Sequence, residues 1–168
     1  HGEPPFWTRF KEVHLDAAVV LELRHVDVVG KGLVVDAEGK LLLESAIFQE
    51  EYLRRSYQNH LVALRALLPA SHHGFALPLI NYLDRNYFHW MLEGIGRLEL
   101  VADRLNDPAL SLLVDADPPA FVRDSIGFLF GVPSERIVAD GSRRRKVDRA
   151  LLVSFPHTRK EDTGKANV

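Results

Sequence analysis

The feature that most restricts this chain is the alternation of short apolar runs with amphipathic stretches between residues 75 and 155. Phe75-Ala76-Leu77-Pro78-Leu79-Ile80, Leu110-Ser111-Leu112-Leu113-Val114, Ile137-Val138-Ala139 and Ala150-Leu151-Leu152-Val153 are the apolar runs. Runs of strand length without polar alternation suit strands covered on both faces. Between the first two, Phe88, Met91, Leu92, Ile95, Leu98, Ala102 and Leu105 recur at i, i+3, i+4 spacing. That spacing predicts a helix over 86–105 with this stripe facing inward. Asp84 or Asn86 suits its cap, and Asn106-Asp107-Pro108 its end. A second helix is predicted over 119–130, capped by Asp117, started by proline and stopped by Gly131. Its inner face is Phe121, Val122, Ser125, Ile126, Leu129 and Phe130. The order β-α-β-α-β-β implies an α/β fold, a Rossmann-like parallel sheet with flanking helices. Pro78 argues that the first of these strands lies at an edge or is irregular.

The flanks have a different texture. Residues 1–12 read as an irregular lead-in in which Phe6, Trp7 and Phe10 pack on the surface. Ala18 to Leu23, Val26 to Val29, Leu33 to Val35 and Leu41 to Leu43 predict a small antiparallel β meander. Gly30-Lys31-Gly32 turns the chain, and Gly39 suits the left-handed position of a hairpin turn. Phe48, Tyr52, Leu61, Leu64 and Leu68 fit a helix over 46–68 that Pro69 ends. The implied organisation is a β-rich lead-in (1–45), a Rossmann-like domain (46–156) and a polar linker or tail (157–168). The chain starts at His1 without an initiator Met, which reads as part of a longer protein.

Composition removes several functions. There is no cysteine, so disulfide scaffolds, iron–sulfur clusters and thiol nucleophiles are excluded. Lys and Arg number 21 against 23 Asp and Glu, a balance that argues against nucleic acid as a partner. No P-loop, dinucleotide fingerprint or Gly-x-Ser-x-Gly elbow is present.

The chemistry-bearing cluster is Asn86-Tyr87-Phe88-His89-Trp90-Met91-Leu92-Glu93, where a strand feeds a helix. Open α/β sheets bind ligands at this end of their strands. His89 and Glu93 are i and i+4 and share a helix face, at the border of the apolar stripe. An imidazole or carboxylate so placed can act as a general base. Gly94 and Gly96 each cost the helix about 1 kcal/mol, so a close approach by backbone or ligand is expected there. Against this stands a plain alternative, that His-x-x-x-Glu is a surface pair and Trp90 is packing. His72-His73-Gly74 reads as a polar loop before a strand, although His73 can face the same cleft as His89. A metal hydrolase would need His72, His73 and His89 to converge. The run Arg143-Arg144-Arg145-Lys146 could meet a phosphate of a nucleotide or lipid headgroup, but such runs are usually solvated turns.

The octapeptide 86–93, followed by Arg97-Leu98, resembles the Asn-Tyr-Tyr-His-Trp-Leu-Leu-Asp…Pro-Arg-Leu pattern of the family 61 glycosyltransferases, which include bacterial capsular-polysaccharide biosynthesis proteins. The likeness extends over roughly 18–159, through LELRHVDVVGKGLVVDAEGKLLLES, LLVDADPPAFVRDSIGFLFGVPSERIVAD and VDRALLVSFPHTR. It implies the N-terminal, acceptor-side half of a GT-B-like inverting enzyme. The co-substrate would be a nucleotide-sugar held through a missing C-terminal domain, the acceptor a saccharide or glycan, and no metal would be needed. His89 and Glu93 match the positions expected to supply the base. Asn86 and Tyr87 would help bind substrate, Trp90 would pack or stack on sugar, and His73 would join the cleft. The implied location is cytoplasmic or peripheral to the inner membrane. This chain departs from the pattern at Glu93, where Asp is usual, and at Ile95-Gly96, where a Pro is usual. Other readings are a non-catalytic carbohydrate-binding or partner-docking module and the metal hydrolase above.

Overall fold

A computed structural model describes residues 18–42, 45 and 62–155. The expected aromatic lead-in, residues 46–61 of the expected helix and the expected tail lie outside the described residues. Residues 62–68 carry a 3-10 turn, Arg65–Leu67.

The fold is α/β, built on one mixed sheet of seven described strands. In chain order they are β1 (Val20–Val29), β2 (Leu33–Val35), β3 (Leu41–Leu42), β4 (Ala70–Pro78), β5 (Leu110–Val114), β6 (Ile137–Ala139) and β7 (Arg144–Val153). Across the sheet the order is β3-β2-β1-β7-β4-β5-β6. The expected parallel core is present: β7, β4, β5 and β6 run parallel. The meander of β1–β3 joins the same sheet, because β1 pairs antiparallel with β7 from Val20–Val153 to Val29–Arg144.

Helix α1 crosses from β4 to β5. It consists of an α-helical turn Tyr87–His89, a π-helical stretch Trp90–Ile95 and a second α-helical turn Gly96–Glu99, with a 3-10 turn Ala102–Asn106 beyond. Helix α2 (Ala120–Phe130) crosses from β5 to β6. It ends, as expected, with Gly131 left-handed at φ 64°. Its start differs: Pro119 is the N-cap residue, and Asp117 is exposed beside Arg85.

Four further expectations are corrected in whole or in part. Pro78 does not mark an edge: β4 lies between β7 and β5. The proline is its last residue, where a missing N–H costs the ladder least. His72 and His73 are not in a loop, and Arg144, Arg145 and Lys146 are not a solvated turn; they lie in the first halves of β4 and β7, which pair from Ala70–Arg144 to His73–Val147. The stripe of α1 is right only in part: Leu98 and Leu105 are buried in the core and Met91 and Ile95 pack against it, but Phe88 and Leu92 do not. Phe88 is 65% and Leu92 50% exposed, while Trp90, Glu93, Gly94, Arg97 and Leu98 are buried. A π-helical stretch closes i→i+5 bonds, so a 3.6-residue period carried through it misassigns residues at the border of the stripe.

Backbone irregularity bends the sheet. The ladders pass over His25 in β1, Asp148 in β7 and Gly74 in β4, which are level with one another. His25 has φ 52°. Side-chain alternation shifts here: Leu21 and Leu23 share a core with Val26 and Val28, and Val147 shares it with Ala150 and Leu152. Beyond this row the sheet curls over its own face. Register puts Asp140 level with Ile80. That is seven residues past His73, about 23 Å along an extended strand. His73 Nε2 nevertheless lies 2.7 Å from Asp140 Oδ2. The curl encloses one core containing Val26, Val28, Val34, Ile80 and Leu113. A second core, with Trp90, Leu98, Val122 and Ile126, lies under the helices.

Gly32 sits at the contact made by the curl. Its φ is 94°, and a Cβ there would stand 2.0 Å from the carbonyl oxygen of Ile80. Gly32→Ala should therefore destabilise the fold by about 2 kcal/mol or more, read as a lower urea midpoint. Gly74→Ala, where a Cβ meets nothing within 4 Å, should leave the midpoint unchanged or slightly raised.

Candidate active site

The loop leaving β4 delivers the site. Asn81 Oδ1 accepts the backbone N–H of Leu83 at 2.6 Å. Asn86 Oδ1 then accepts those of Phe88 at 3.0 Å and His89 at 3.4 Å. Asn86, and not Asp84, is thus the cap of α1. Its exposed side chain is committed to starting the helix that carries His89.

One turn later, His89 Nδ1 lies 2.8 Å from Glu93 Oε1. Glu93 is 1% exposed, while the His89 side chain is 27% exposed. A carboxylate only accepts, so this contact requires the proton of a neutral imidazole on Nδ1. His89 then keeps the lone pair of Nε2 for an incoming proton. The pair expected from the i, i+4 spacing is formed, with its carboxylate buried and its imidazole reaching solvent.

Arg97 follows Glu93 by four residues on the same helix. It is 2% exposed. Its guanidinium donates to the carbonyl oxygens of Glu93 at 3.2 Å, Pro78 at 3.2 Å and Leu79 at 2.8 Å. It also lies over the Phe155 ring at 4.6 Å from the centroid. Burial lowers its pKa to about 10, opposed by the negative charges of Glu93 and Asp84, so the group stays cationic at neutral pH.

Trp90 packs in the core under the helices. It is fully buried, and its Nε1–H donates to Ser125 Oγ at 2.8 Å. The close approach expected at Gly94 is made by this indole, since a Cβ on Gly94 would stand 2.3 Å from Trp90 Cε3. Tyr87 is exposed and meets Phe121 edge-on at 5.3 Å.

His73 belongs to another cluster. Its Nε2 contacts Asp140 Oδ2, which also accepts the Ser71 hydroxyl at 2.5 Å. Ser142 N–H donates to Asp140 Oδ1 at 2.6 Å. Burial works against the Asp140 charge, but the Ser71, Ser142 and His73 donors outweigh it and hold the carboxyl well below the usual range. Arg145, also buried, donates to the carbonyls of Gly30 and Asp140. Arg144 makes two bonds to Asp27, at 3.0 and 2.9 Å. These two arginines brace the curl and are not free for phosphate. His72 is exposed on the other side of β4 from His73. Among the described residues no three His, Asp or Glu side chains converge as metal ligands, so His72, His73 and His89 do not form the centre that a metal hydrolase would need.

The sequence reading missed Asp84, Asp115 and Lys31. Lys31 pairs with Asp115 just past β5. Burial pushes the Asp115 carboxyl up, but the Lys31 and Ala116 donors bring it below its ordinary value. Asp84 accepts only a long bond from the Asn81 N–H, at 3.5 Å. Burial, reinforced by Asp115, raises its pKa against the pull of Lys31. With Trp90, Pro118 and Val122, the two acids line a small crevice at the carboxyl ends of β4 and β5. An Asp immediately after a buried strand run was the available signal for Asp115.

Compared with family models, curated proteins and solved structures, the chain matches none. No helix among the described residues is long and apolar enough to cross a membrane.

The two acids should respond oppositely to pH. Asp84 has a folded pKa above its unfolded value near 3.8. Its ionisation therefore penalises the fold as pH rises through the folded value. Asp84→Asn should melt higher than the parent at pH 7 and match it near pH 3. Asp140 has a depressed folded pKa, so its stabilisation is present above about pH 4 and is lost on acidification. Asp140→Asn should melt lower than the parent at pH 7, with the gap closing toward acid pH. Thermal melts at both pH values check each sign.

Proposed function

We propose that this chain supplies the acceptor-side domain of an inverting glycosyltransferase of GT-B-like architecture, with His89 as general base and Glu93 as the group that orients it. The observation that carries the reading is the 2.8 Å contact between His89 Nδ1 and the buried Glu93 carboxylate. It lies where the α/β sheet presents its carboxyl ends, the usual ligand-binding position in such sheets. Its residues sit within the octapeptide that resembles the family 61 pattern. The donor would be a nucleotide-sugar bound largely by a further domain, and the acceptor a saccharide or glycan hydroxyl, as in a capsular polysaccharide. A cytoplasmic enzyme, or one peripheral to the inner membrane, fits that substrate pair.

In the proposed step Nε2 of His89 removes the acceptor hydroxyl proton. The oxygen attacks the anomeric carbon from the face opposite the nucleotide. The bond to the nucleoside diphosphate breaks, and the leaving group takes the electron pair. Glu93 keeps its bond to Nδ1 and stabilises the imidazolium that forms. A carboxylate that is 1% exposed is poorly placed to meet the acceptor itself, which favours His89 for the proton and Glu93 for orientation.

The test is sugar transfer by the full-length protein over a panel of nucleotide-sugars and saccharide acceptors. His89→Ala should lower turnover about 10²–10⁴-fold, the usual contribution of a general base. Glu93→Gln should lower it less, because the imidazole remains. Normal turnover in His89→Ala would reject the base assignment, and no transfer by the unsubstituted protein with any donor would reject the reaction.

A further inference from the structure

Two acids stand past the carboxyl ends of β4 and β5, and they are served unequally. Asp115 is well supplied: Oδ2 pairs with Lys31, and Oδ1 accepts the Ala116 N–H at 3.0 Å. Asp84 is 6% exposed. Its Oδ2 is turned to the Asn81 N–H, and its Oδ1 is buried with no hydrogen-bond partner among the described residues. Asn81, 2% exposed, carries a second such atom. Its Oδ1 serves Leu83, while its Nδ2 is buried and unpartnered among the described residues. Buried polar atoms are nearly always satisfied, by protein, water or ligand. Here an acceptor and a donor are left over on one loop, at the end of the sheet where α/β folds take their ligands.

The crevice that Asp84 lines narrows the choice of ligand. Leu79, Trp90 and Val122 are its buried floor, and Pro118, Pro119 and Asp115, each partly exposed, are its rim. The space inside suits about one water-sized group. The walls are apolar apart from the two acids, and Asp84 is the one with an oxygen to offer. A metal ion fits poorly, because it needs several oxygen ligands and the neighbouring Asn81 amide is a donor that no cation satisfies. A hydroxyl donates and accepts at once. A hydroxyl on a single methylene suits the shape as well: the oxygen enters, and the carbon meets the prolines of the rim. Burial raises the Asp84 pKa, and a donor arriving at Oδ1 acts in the opposite sense.

We propose that this crevice is a subsite for the hydroxymethyl arm of a hexose, its hydroxyl donating to Asp84 Oδ1 and its methylene packed on Pro118 and Pro119. The proposal rests on the reading of this chain as an acceptor-side domain. It narrows the acceptor from saccharides at large to sugars with a free primary hydroxyl. Trp90 belongs to the crevice floor and follows His89 directly on α1, so the subsite and the proposed base share the start of one helix. A 6-deoxy sugar or a pentose leaves Asp84 without its donor. A site built around a hydroxyl discriminates against the analogue that lacks it.

The experiment is an NMR titration of the full chain at neutral pH, without nucleotide-sugar, following the Trp90 indole N–H. The probes are the methyl glycosides of glucose, galactose and mannose, each with its 6-deoxy counterpart. At least one hexoside should shift the signal, and its 6-deoxy counterpart should bind about tenfold more weakly. Equal binding of the two, or no binding of any hexoside at millimolar concentration, would overturn the proposal and leave an ordered water as the partner of Asp84. A shift produced by Mg²⁺ alone would overturn it in favour of a cation. Asp84→Ala should erase the preference for the hexoside, and its persistence there would place the primary hydroxyl elsewhere. Should that variant fail to fold, the comparison on the unsubstituted chain still decides. Transfer to 6-deoxy acceptors as efficient as to hexoses would strike the subsite and keep the reaction. Hexoside binding with no transfer from any donor would strike the reaction and keep the subsite.

Discussion

The arrangement of this fold depends on a guanidinium that has left water. Arg145 is 2% exposed and must find acceptors for its N–H groups inside the protein. It finds Gly30 O in the turn between β1 and β2, and Asp140 O at the end of β6. In a flat sheet these two groups would lie far apart. They meet because β1, β7 and β4 share a row of irregular backbone at His25, Asp148 and Gly74, past which the sheet curls. His73, Ser71 and Arg145 then close on Asp140, and Lys31 closes on Asp115. The carboxyl ends of β5 and β6 are thereby packed against the start of the same sheet.

That closure organises the ground on which the candidate site stands. The chain leaving β4 is held at Ile80 by the close approach of Gly32 and at Leu83 by the Asn81 side chain. Asn86 starts α1, and the helix brings Glu93 to His89 within its first turns. Arg97 then fixes the helix to the strand it came from. Two buried arginines serve similar ends at opposite ends of β4. Each spends its donors on backbone carbonyls from two elements and its charge on nearby carboxylates.

Much of the strand framework could be read from residue pattern. Leu112–Val114 and Ala150–Val153 are apolar at successive positions because parallel strands are covered on both faces. The polar beginnings of β4 and β7 could not be read in this way. His72, His73, Arg144 and Lys146 look like loop residues unless their partners across the curl are known, and those partners are distant in sequence. The His89–Glu93 pair was legible because i, i+4 spacing survives the local winding. Its burial was not, because the π-helical stretch turned Phe88 and Leu92 outward and brought Glu93 and Arg97 in. For Trp90 the packing alternative holds, since its indole is fully buried. A close approach does mark Gly94, but it is made by the indole four residues earlier and not by the backbone or ligand expected there.

The pairing of β1 with β7 also has a consequence for the order of folding. Val19 donates its N–H to Ser154 Oγ, 135 residues away in sequence. A chain grows at roughly 5–20 residues per second, so β1 waits on the order of ten seconds for the strand that covers it. During that interval the β1–β2 hairpin presents an unpaired edge, the kind of surface that recruits stray strands. Charged residues Glu22, Arg24 and Asp27 are spaced along that edge strand. Charge at such positions discourages stray pairing in a nascent chain whose covering strand, β7, has yet to be made.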